Sequence, residues 1–477
     1  MSKSEVGKNE APEPSHVVGI GASAGGLEAI DAFFSNMPTK NDYAFVVIQH
    51  LSPDHKSLMV EILSKKTEMP VNRAEDSMKV RPGEIYLIPP KKNLVLFHGK
   101  LLLRDQEPTR GLNLPIDVFF RSLAEDQEEK AVAIILSGTG SDGMRGVRAV
   151  KHAGGMIMAQ APESAQFDGM PRAAISTGMA DFVLPPDQMP AQLVAFTEHP
   201  HVVSGDLPSP LSADEDGMAK IFALLRERCK VDFTNYKPST VLRRVDRRMT
   251  INQLESTADY YAYLQQVSSE VTTLFRELLI GVTNFFRDPW VFEIVQTEII
   301  PELIEKSGGR ELRVWVSACS TGEEAYTIAM LIKNGLEELG VHRNVKIFAT
   351  DIDRGALQFA AAGSYPESVA ADIPVQFLSK YFVRKEEHFQ ISRTIREMVV
   401  FAQHNIIKDP PFTSMDLISC RNVLIYLQPV LQNKVLQFFQ FSLRQGGVLL
   451  LGTSETTGEF GKNLQHLNAK AKIFRSK

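Results

Sequence analysis

Apolar residues along this chain fall into short unbroken runs that lead into Gly- or Ser-rich turns: "HVVGIGASAGG", "KAVAIILSGTGSDG" and "ELRVWVSACSTGEE". Runs of that length, bounded by turn residues, predict strands buried on both faces, and the stretches after the turns, apolar at three- and four-residue spacing, predict amphipathic helices. Strand, turn and helix repeated in this order predict α/β domains on doubly wound, mainly parallel sheets. The grammar occurs twice, over residues 16–196 and 283–477. Between the two, "TEHPHVVSGDLPSPLSADEDG" is rich in Pro, Ser, Gly and acid and has no period, which predicts a linker at 197–212. The segments "MAKIFALLRERC", "STVLRRVDRRMTI", "TADYYAYLQQV" and "EVTTLFRELLIGV" then predict a helical subdomain over 213–282 that heads the second α/β domain. The polar residues 1–15 predict a disordered tail.

Composition narrows the function classes. At 477 residues the chain is too long for one ordinary core. A net charge of −5 argues against a dedicated nucleic-acid binder. Cys229, Cys319 and Cys420 are odd in number and far apart, which predicts neither a disulfide framework nor a metal site. No apolar run reaches membrane-spanning length and the start is not a signal peptide, so the expectation is a cytoplasmic protein without membrane insertion.

The opening turn fits two motifs. Gly19, Gly21 and Ala24 have the spacing of a dinucleotide-binding turn; Gly21, Ser23 and Gly25 have that of a nucleophile elbow. A dinucleotide fold wants an acid at the end of the next strand, yet "YAFVVIQHL" ends in Gln49 and His50. The strand "KAVAIILS" runs into a turn that encloses Asp142. Residues just past the carboxyl ends of parallel strands gather along one edge, and Ser23, His50 and Asp142 all hold such positions. A hydroxyl needs a base to take its proton, and the base needs a carboxylate to orient it. Taken singly, Ser23 and Asp142 also suit helix caps, and His50 suits a strand end.

"GIGASAGG", "VVIQHL" and "LSGTGSDGM", with "GGMIMAQAPESAQFDGMPRAAISTG" beyond them, resemble the catalytic segments of the chemotaxis protein-glutamate methylesterases. The resemblance implies a hydrolase of receptor glutamate γ-methyl esters that also deamidates some glutamines, with Ser23 as nucleophile, His50 as base and Asp142 as orienting carboxylate. Regulated members carry a receiver domain in front; about 15 residues precede the first motif here, so none is expected within this chain.

In the second half, the small-residue turn after "ELRVWVSAC" lets backbone approach a ligand, and "VKIFATDID" ends a strand in Asp351, where an acid can accept both hydroxyls of a ribose. The turn has neither a dinucleotide fingerprint nor a Walker lysine, which favours a nucleoside without phosphates, S-adenosylmethionine, over another nucleotide or a ligand-free structural domain. "GGVLLLGT" and "AKIFRSK" predict a strand and an antiparallel edge partner.

"GVTNFFRD", "SACSTGEEAYTIAM", "ATDID", "HNIIKDPPF" and "LISCRNVLIYL" resemble the chemotaxis receptor glutamate methyltransferases. That resemblance implies S-adenosyl-L-methionine contacts at Thr283, Arg287, Glu324, Asp351, Asn405, Ile406, Arg421 and Asn422. Glu323 is a rival for Glu324. Arg421 and Tyr426 are expected at the mouth, positioning the acceptor carboxylate. The run "VLRRVDRRM" reads either as a solvated face or as a basic helix docking on an acidic receptor helix. The segment at 365–399 predicts a small β insertion. The reading is a fused enzyme of chemoreceptor adaptation whose partners are the acidic cytoplasmic helices of methyl-accepting receptors or a related signalling protein. Its rivals are a regulatory scaffold that binds receptor and nucleoside without turnover, and the same chemistry on a non-chemotaxis protein.

Overall fold

The structure, a computed structural model, describes residues 12–50, 59–106, 113–199, 214–279, 281–386 and 388–477. The chain divides into two compact units, Met1–Leu207 with Thr250–Gln253, and Pro208–Met249 with Leu254–Lys477.

The first unit is built on seven parallel strands: β1 (Val17–Ala22), β2 (Ala44–Gln49), β3 (Val71–Arg73), β4 (Glu84–Leu87), β5 (Ala131–Ile135), β6 (Met156–Gln160) and β7 (Phe182–Leu184). Their order across the sheet is β7-β6-β5-β1-β2-β4-β3. β1 lies between β2 and β5, with Val17 opposite both Ala44 and Ala131. The strand order reverses here, which opens a crevice at the carboxyl ends of the central strands. Alternate strand residues feed two cores. Val17, Val46 and Ala133 face α2 (Pro115–Gln127) and α3 (Met144–Ala153), while Val18, Val47 and Ile134 face α1 (Gly26–Ser35) and α4 (Met189–Thr197). Both faces being covered explains why these strands read as continuous apolar runs rather than alternating ones.

The glycines of the opening turn have a packing explanation. A Cβ on Gly19 would meet Phe120, Leu123 and Phe119 at 2.9–3.0 Å, and one on Gly21 would meet Ile116 at 2.6 Å. They let α2 press against β1. That is why a spacing suited to a pyrophosphate appears where none is needed.

Two expected boundaries move. The tail expected over 1–15 is anchored by its last residue, since Ser15 N–H donates to Asp42 O (2.9 Å). Residues 197–199, expected to begin the linker, close α4 instead, with Thr197 the last helical residue and His199 buried behind it. Residues 200–213, the rest of that stretch, lie outside the described residues.

The second unit opens with four helices, α5 (Glu215–Cys229), α6 (Pro238–Ile251), α7 (Thr257–Gln266) and α8 (Ser268–Leu279), around a core that includes Ile221, Leu225, Val245, Tyr260 and Leu274. Its sheet follows in the order β10-β9-β8-β11-β12-β14-β13. The strands are β8 (Leu312–Ser317), β9 (Val345–Asp351), β10 (Val399–Gln403), β11 (Met415–Cys420), β12 (Leu443–Leu451), β13 (Leu464–Asn468) and β14 (Ile473–Ser476). β8 to β12 are parallel and β14 returns antiparallel to β12 as expected, but β14 is not the edge: β13 pairs antiparallel with its far side and stands outermost. The β insertion is a three-stranded antiparallel sheet of Ser364–Pro366, Phe382–Lys385 and His388–Ile391. Among the described residues, no helix is long and apolar enough to cross a membrane.

The arginine run on α6 is neither of the two things its sequence suggests. Arg244, Arg247 and Arg248 are buried, and of the four only Arg243 is exposed. Arg247 is held by Glu277 (3.0 and 3.1 Å); Arg248 reaches Glu270 (2.8 and 2.6 Å) and Glu277 (3.2 Å); Tyr260 donates to Glu270 (3.0 Å). Both acids stand on α8, so the run joins two helices of the bundle. Removing one partner of such a pair strands a buried charge. Glu277→Ala is therefore expected to destabilise the helical subdomain by about 3–5 kcal/mol, read as an earlier denaturant midpoint of the helical signal.

Candidate functional site

In the first unit three strand ends converge. Ser23 follows β1, His50 follows β2, and Asp142 sits in the turn between β5 and α3. Gly25, at φ 68°, lets the chain turn sharply into α1 directly after Ser23. Ser23 Oγ lies 3.4 Å from His50 Nδ1, and His50 Nε2 lies 2.7 Å from Asp142 Oδ2. The ring meets the hydroxyl with Nδ1 and the carboxylate with Nε2, the reverse of the chymotrypsin arrangement; the relay requires only that one nitrogen accepts while the other donates. Asp142 is 3% exposed and also accepts N–H groups from Ile116 (3.0 Å), Asp117 (3.0 Å) and Gly143 (2.8 Å). The first turn of α2 thus fixes the carboxylate that fixes the imidazole. His50 stays a third exposed, open to a substrate.

In the second unit the strand ends of β8, β9, β10 and β11 gather the expected residues. The turn from β8 to α9 (Glu323–Glu338) carries positive φ at Ala318 (55°), Ser320 (47°) and Gly322 (92°), an open backbone concavity. Asp351 ends β9 and takes one N–H on each oxygen, from Ser320 (2.7 Å) and Asp353 (2.9 Å). Each oxygen keeps a lone pair for a ligand hydroxyl. Burial pushes this carboxyl above its ordinary range. His404 N–H donates to Asp351 O (3.0 Å), which brings Asn405 and Ile406 beside the β9 end. Asn405 Oδ1 closes its own loop on Ile407 N–H (2.9 Å), and Ile406 packs into the core beneath. Ser320 Oγ donates to Gly281 O (3.0 Å), which draws the Thr283 segment to the β8 turn.

The two glutamates separate. Glu323 is buried and accepts from Thr321 Oγ1 (2.6 Å); Glu324 faces the β11 end, accepting from Ser419 Oγ (2.6 Å) and Arg421 Nη1 (3.1 Å). Arg421 departs from its expected place at the mouth. Its side chain is fully buried between Glu324 and Asp288 (2.6 Å), donates to Arg287 O (3.0 Å) and stacks on Phe292 at 4.9 Å. One cation between two carboxylates in a low-dielectric wall is held by both, so it supports the pocket from behind. Arg287 Nη1 donates to Val282 O (3.0 Å); burial pushes the Tyr426 phenol up, with Arg287 and Arg244 pulling the other way. Sequence reasoning missed Asp288 and Ser419, although each stands next to an assigned residue or motif. A cavity of about 430 Å³ in the helical subdomain is lined by Met218, Phe222 and Tyr236 among others and by none of the assigned residues.

Asn422, at φ 61°, is held in place by Glu455, which accepts N–H groups from Val423 (2.9 Å), Leu424 (2.7 Å) and Gly452 (2.6 Å). Asn422 Oδ1 is buried without a partner among the described residues. A buried acceptor without a partner just past β11, together with an acid with spare lone pairs at the open β8 turn, fits a nucleoside, which brings hydroxyls and an exocyclic amine.

Comparison with known proteins agrees with this division. The CheB methylesterase model matches residues 18–193, the CheR all-alpha domain 216–279, and the CheR methyltransferase SAM binding domain 281–473. The chemotaxis protein methyltransferase of Listeria innocua is 31% identical over 225 residues, covering 47% of this chain and 84% of that protein. This chain belongs to the CheR methyltransferase family, with a CheB methylesterase domain fused before it. The CheB catalytic domain of Thermotoga maritima, a solved structure, is 33% identical, covering 38% of this chain and 97% of that one at a TM-score of 0.35. An uncharacterised 104.1 kDa protein of Rhodobacter capsulatus is 39% identical over 445 residues, covering both halves; the chain spans 88% of its own length there and 46% of that relative. The cofactor of the CheR half is S-adenosylmethionine.

Glu455→Gln replaces an acceptor with a donor facing main-chain N–H groups. The expected cost is about 1–3 kcal/mol, with weaker S-adenosylmethionine binding as the Asn422 turn loosens. Denaturant midpoints and calorimetric titration measure the two effects.

Proposed function

We propose that this chain is a bifunctional adaptation enzyme, hydrolysing glutamate γ-methyl esters in its first unit and methylating glutamates in its second, on the acidic cytoplasmic helices of a chemoreceptor or a related signalling protein. It works in the cytoplasm. The observation that carries the reading is the Ser23–His50–Asp142 relay at the strand ends of a CheB-type sheet.

In the esterase, His50 takes the Ser23 proton as Oγ attacks the ester carbonyl, and Asp142 holds the ring and stabilises its cationic form. His50 then gives the proton to the departing methoxide, and water repeats the sequence to free the glutamate. Ser23 lies just before the N-terminus of α1, where unsatisfied N–H groups and the helix dipole favour the negative oxygen of the intermediate. Glutamine deamidation needs the same steps with ammonia leaving.

In the methyltransferase, S-adenosylmethionine supplies an activated methyl group. Asp351 would hold the ribose hydroxyls, Asn405 and Ile406 the adenine, and Arg287 the cofactor's carboxylate. Thr283, Glu324 and Asn422 complete the pocket, with Arg421 bracing Glu324 from behind. The acceptor glutamate is ionised at neutral pH, so no strong base is needed. Orientation does most of the work.

Ser23→Ala is expected to abolish most methanol release while methyl transfer continues, with oxyanion stabilisation leaving a residue of hydrolysis. Wild-type release from the variant would remove Ser23 as nucleophile. Asp351→Ala should cost about 2–3 kcal/mol of S-adenosylmethionine affinity, or tens-fold, without touching hydrolysis. Because burial raises the Asp351 carboxyl, affinity should fall as pH drops, starting at higher pH than for an ordinary aspartate. Isothermal titration across pH 4–8 reads both the loss and its onset.

A further inference from the structure

A second acid stands behind the esterase relay, and the steps above do not use it. Asp117 is the third residue of α2 and 1% exposed. Its N–H donates to Asp142 Oδ1 (3.0 Å), and its own Oδ1 accepts from Gly146 N–H (2.7 Å) in the first turn of α3. Its Oδ2 is buried with no hydrogen-bond partner among the described residues. One carboxyl oxygen therefore joins α2 to α3, a task an amide oxygen would do as well. The other oxygen has no structural task. An acid is costly there and a neutral side chain would not be.

We propose that Asp117 is a positioning residue of the esterase, a buried carboxyl beside Asp142 whose charge biases His50 through Asp142. The charged groups facing it are Asp142 from the β5–α3 turn, Arg145 from α3 and Arg121 one turn along α2. Burial, with the Asp142 charge second, pushes the Asp117 carboxyl up to about 7; Arg145 and Arg121 pull the other way. While Asp117 keeps its proton, Asp142 is the single anion behind the imidazole. Once it ionises, a second negative charge stands beside the first and favours the imidazolium form of the ring. The triad then responds to pH as a three-group unit rather than as one histidine.

Stability carries the same signature. An unfolded aspartate releases its proton near 4, and the folded one near 7. Between those values the unfolded state has given up a proton that the folded state retains, so this group's contribution to stability falls as pH rises, and stays low above 7.

The inference rests on the triad reading, and the test separates the two. The full chain, Asp117→Asn and Asp117→Ser are labelled with a fluorophosphonate, which reports Ser23 reactivity whatever the physiological ester, and rate constants are taken from pH 5 to 9. Both variants leave an acceptor for Gly146 and carry no charge. The midpoint of the acid limb is expected to move down by about 0.5–1 pH unit in each. Thermal melts should show the Asn variant gaining several °C over wild type at pH 8.5 and nothing at pH 4. A midpoint that stays in place while Ser23 labels normally overturns the inference and leaves the triad standing. So does an Asn variant that is less stable at every pH, since Asp117 would then be an ionised partner of the arginines. A wild type that does not label at Ser23 overturns the triad and this inference together.

Discussion

Buried carboxylates that accept main-chain N–H groups from a distant segment hold both sites together. Asp142 takes two such groups, Asp351 one and Glu455 two, and each adds one more from within three residues of itself. In a parallel α/β unit the functional residues sit on turns, which have no ladder of their own to keep them in register. An acid that collects N–H groups supplies the missing ladder: two lone pairs per oxygen, a charge that strengthens every bond, and a position set by the strand it ends. Asp142 is held against the His50 ring and Asp351 is held against the β8 turn, and the same fixing is at work in both.

The two units use one strand–turn–helix grammar with different turns. After β1 the chain reaches α1 within four residues and a single left-handed glycine, Gly25, makes the bend, so Ser23 is thrust forward. After β8 there are five residues before α9, three with positive φ, and the backbone opens into a concavity. A tight bend presents one side chain; a wide one presents backbone. Hydrolysis needs the first and nucleoside binding the second.

Much of this is legible in the sequence because chemistry at strand ends leaves a local mark. Ser23, His50, Asp142 and Asp351 each follow an apolar run within a few residues, and the runs are unbroken because both sheet faces are covered. What stays hidden depends on partners far along the chain. Gly19 and Gly21 mimic a phosphate turn because nothing near them reveals that Ile116 and Phe120 lean on β1. The α6 arginines read as a surface because Glu270 and Glu277 lie 22 to 30 residues further on, inside an unremarkable amphipathic stretch. Glu323 and Glu324 are adjacent, and only the position of β11 tells them apart. Arg421 looks like a ligand-facing cation until Asp288 and Glu324 close on it.

The lattice of Arg247, Arg248, Glu270, Glu277 and Tyr260 also shapes how this protein can change through time. Each member contacts at least one other across a helix boundary, and no charge in it has water to fall back on. A lineage that loses one member carries a misfolding burden until a second, compensating change arrives. The five positions are therefore constrained as a block: a change at one is tolerated only with a compensating change at another, or with exchange of the whole set for an apolar one.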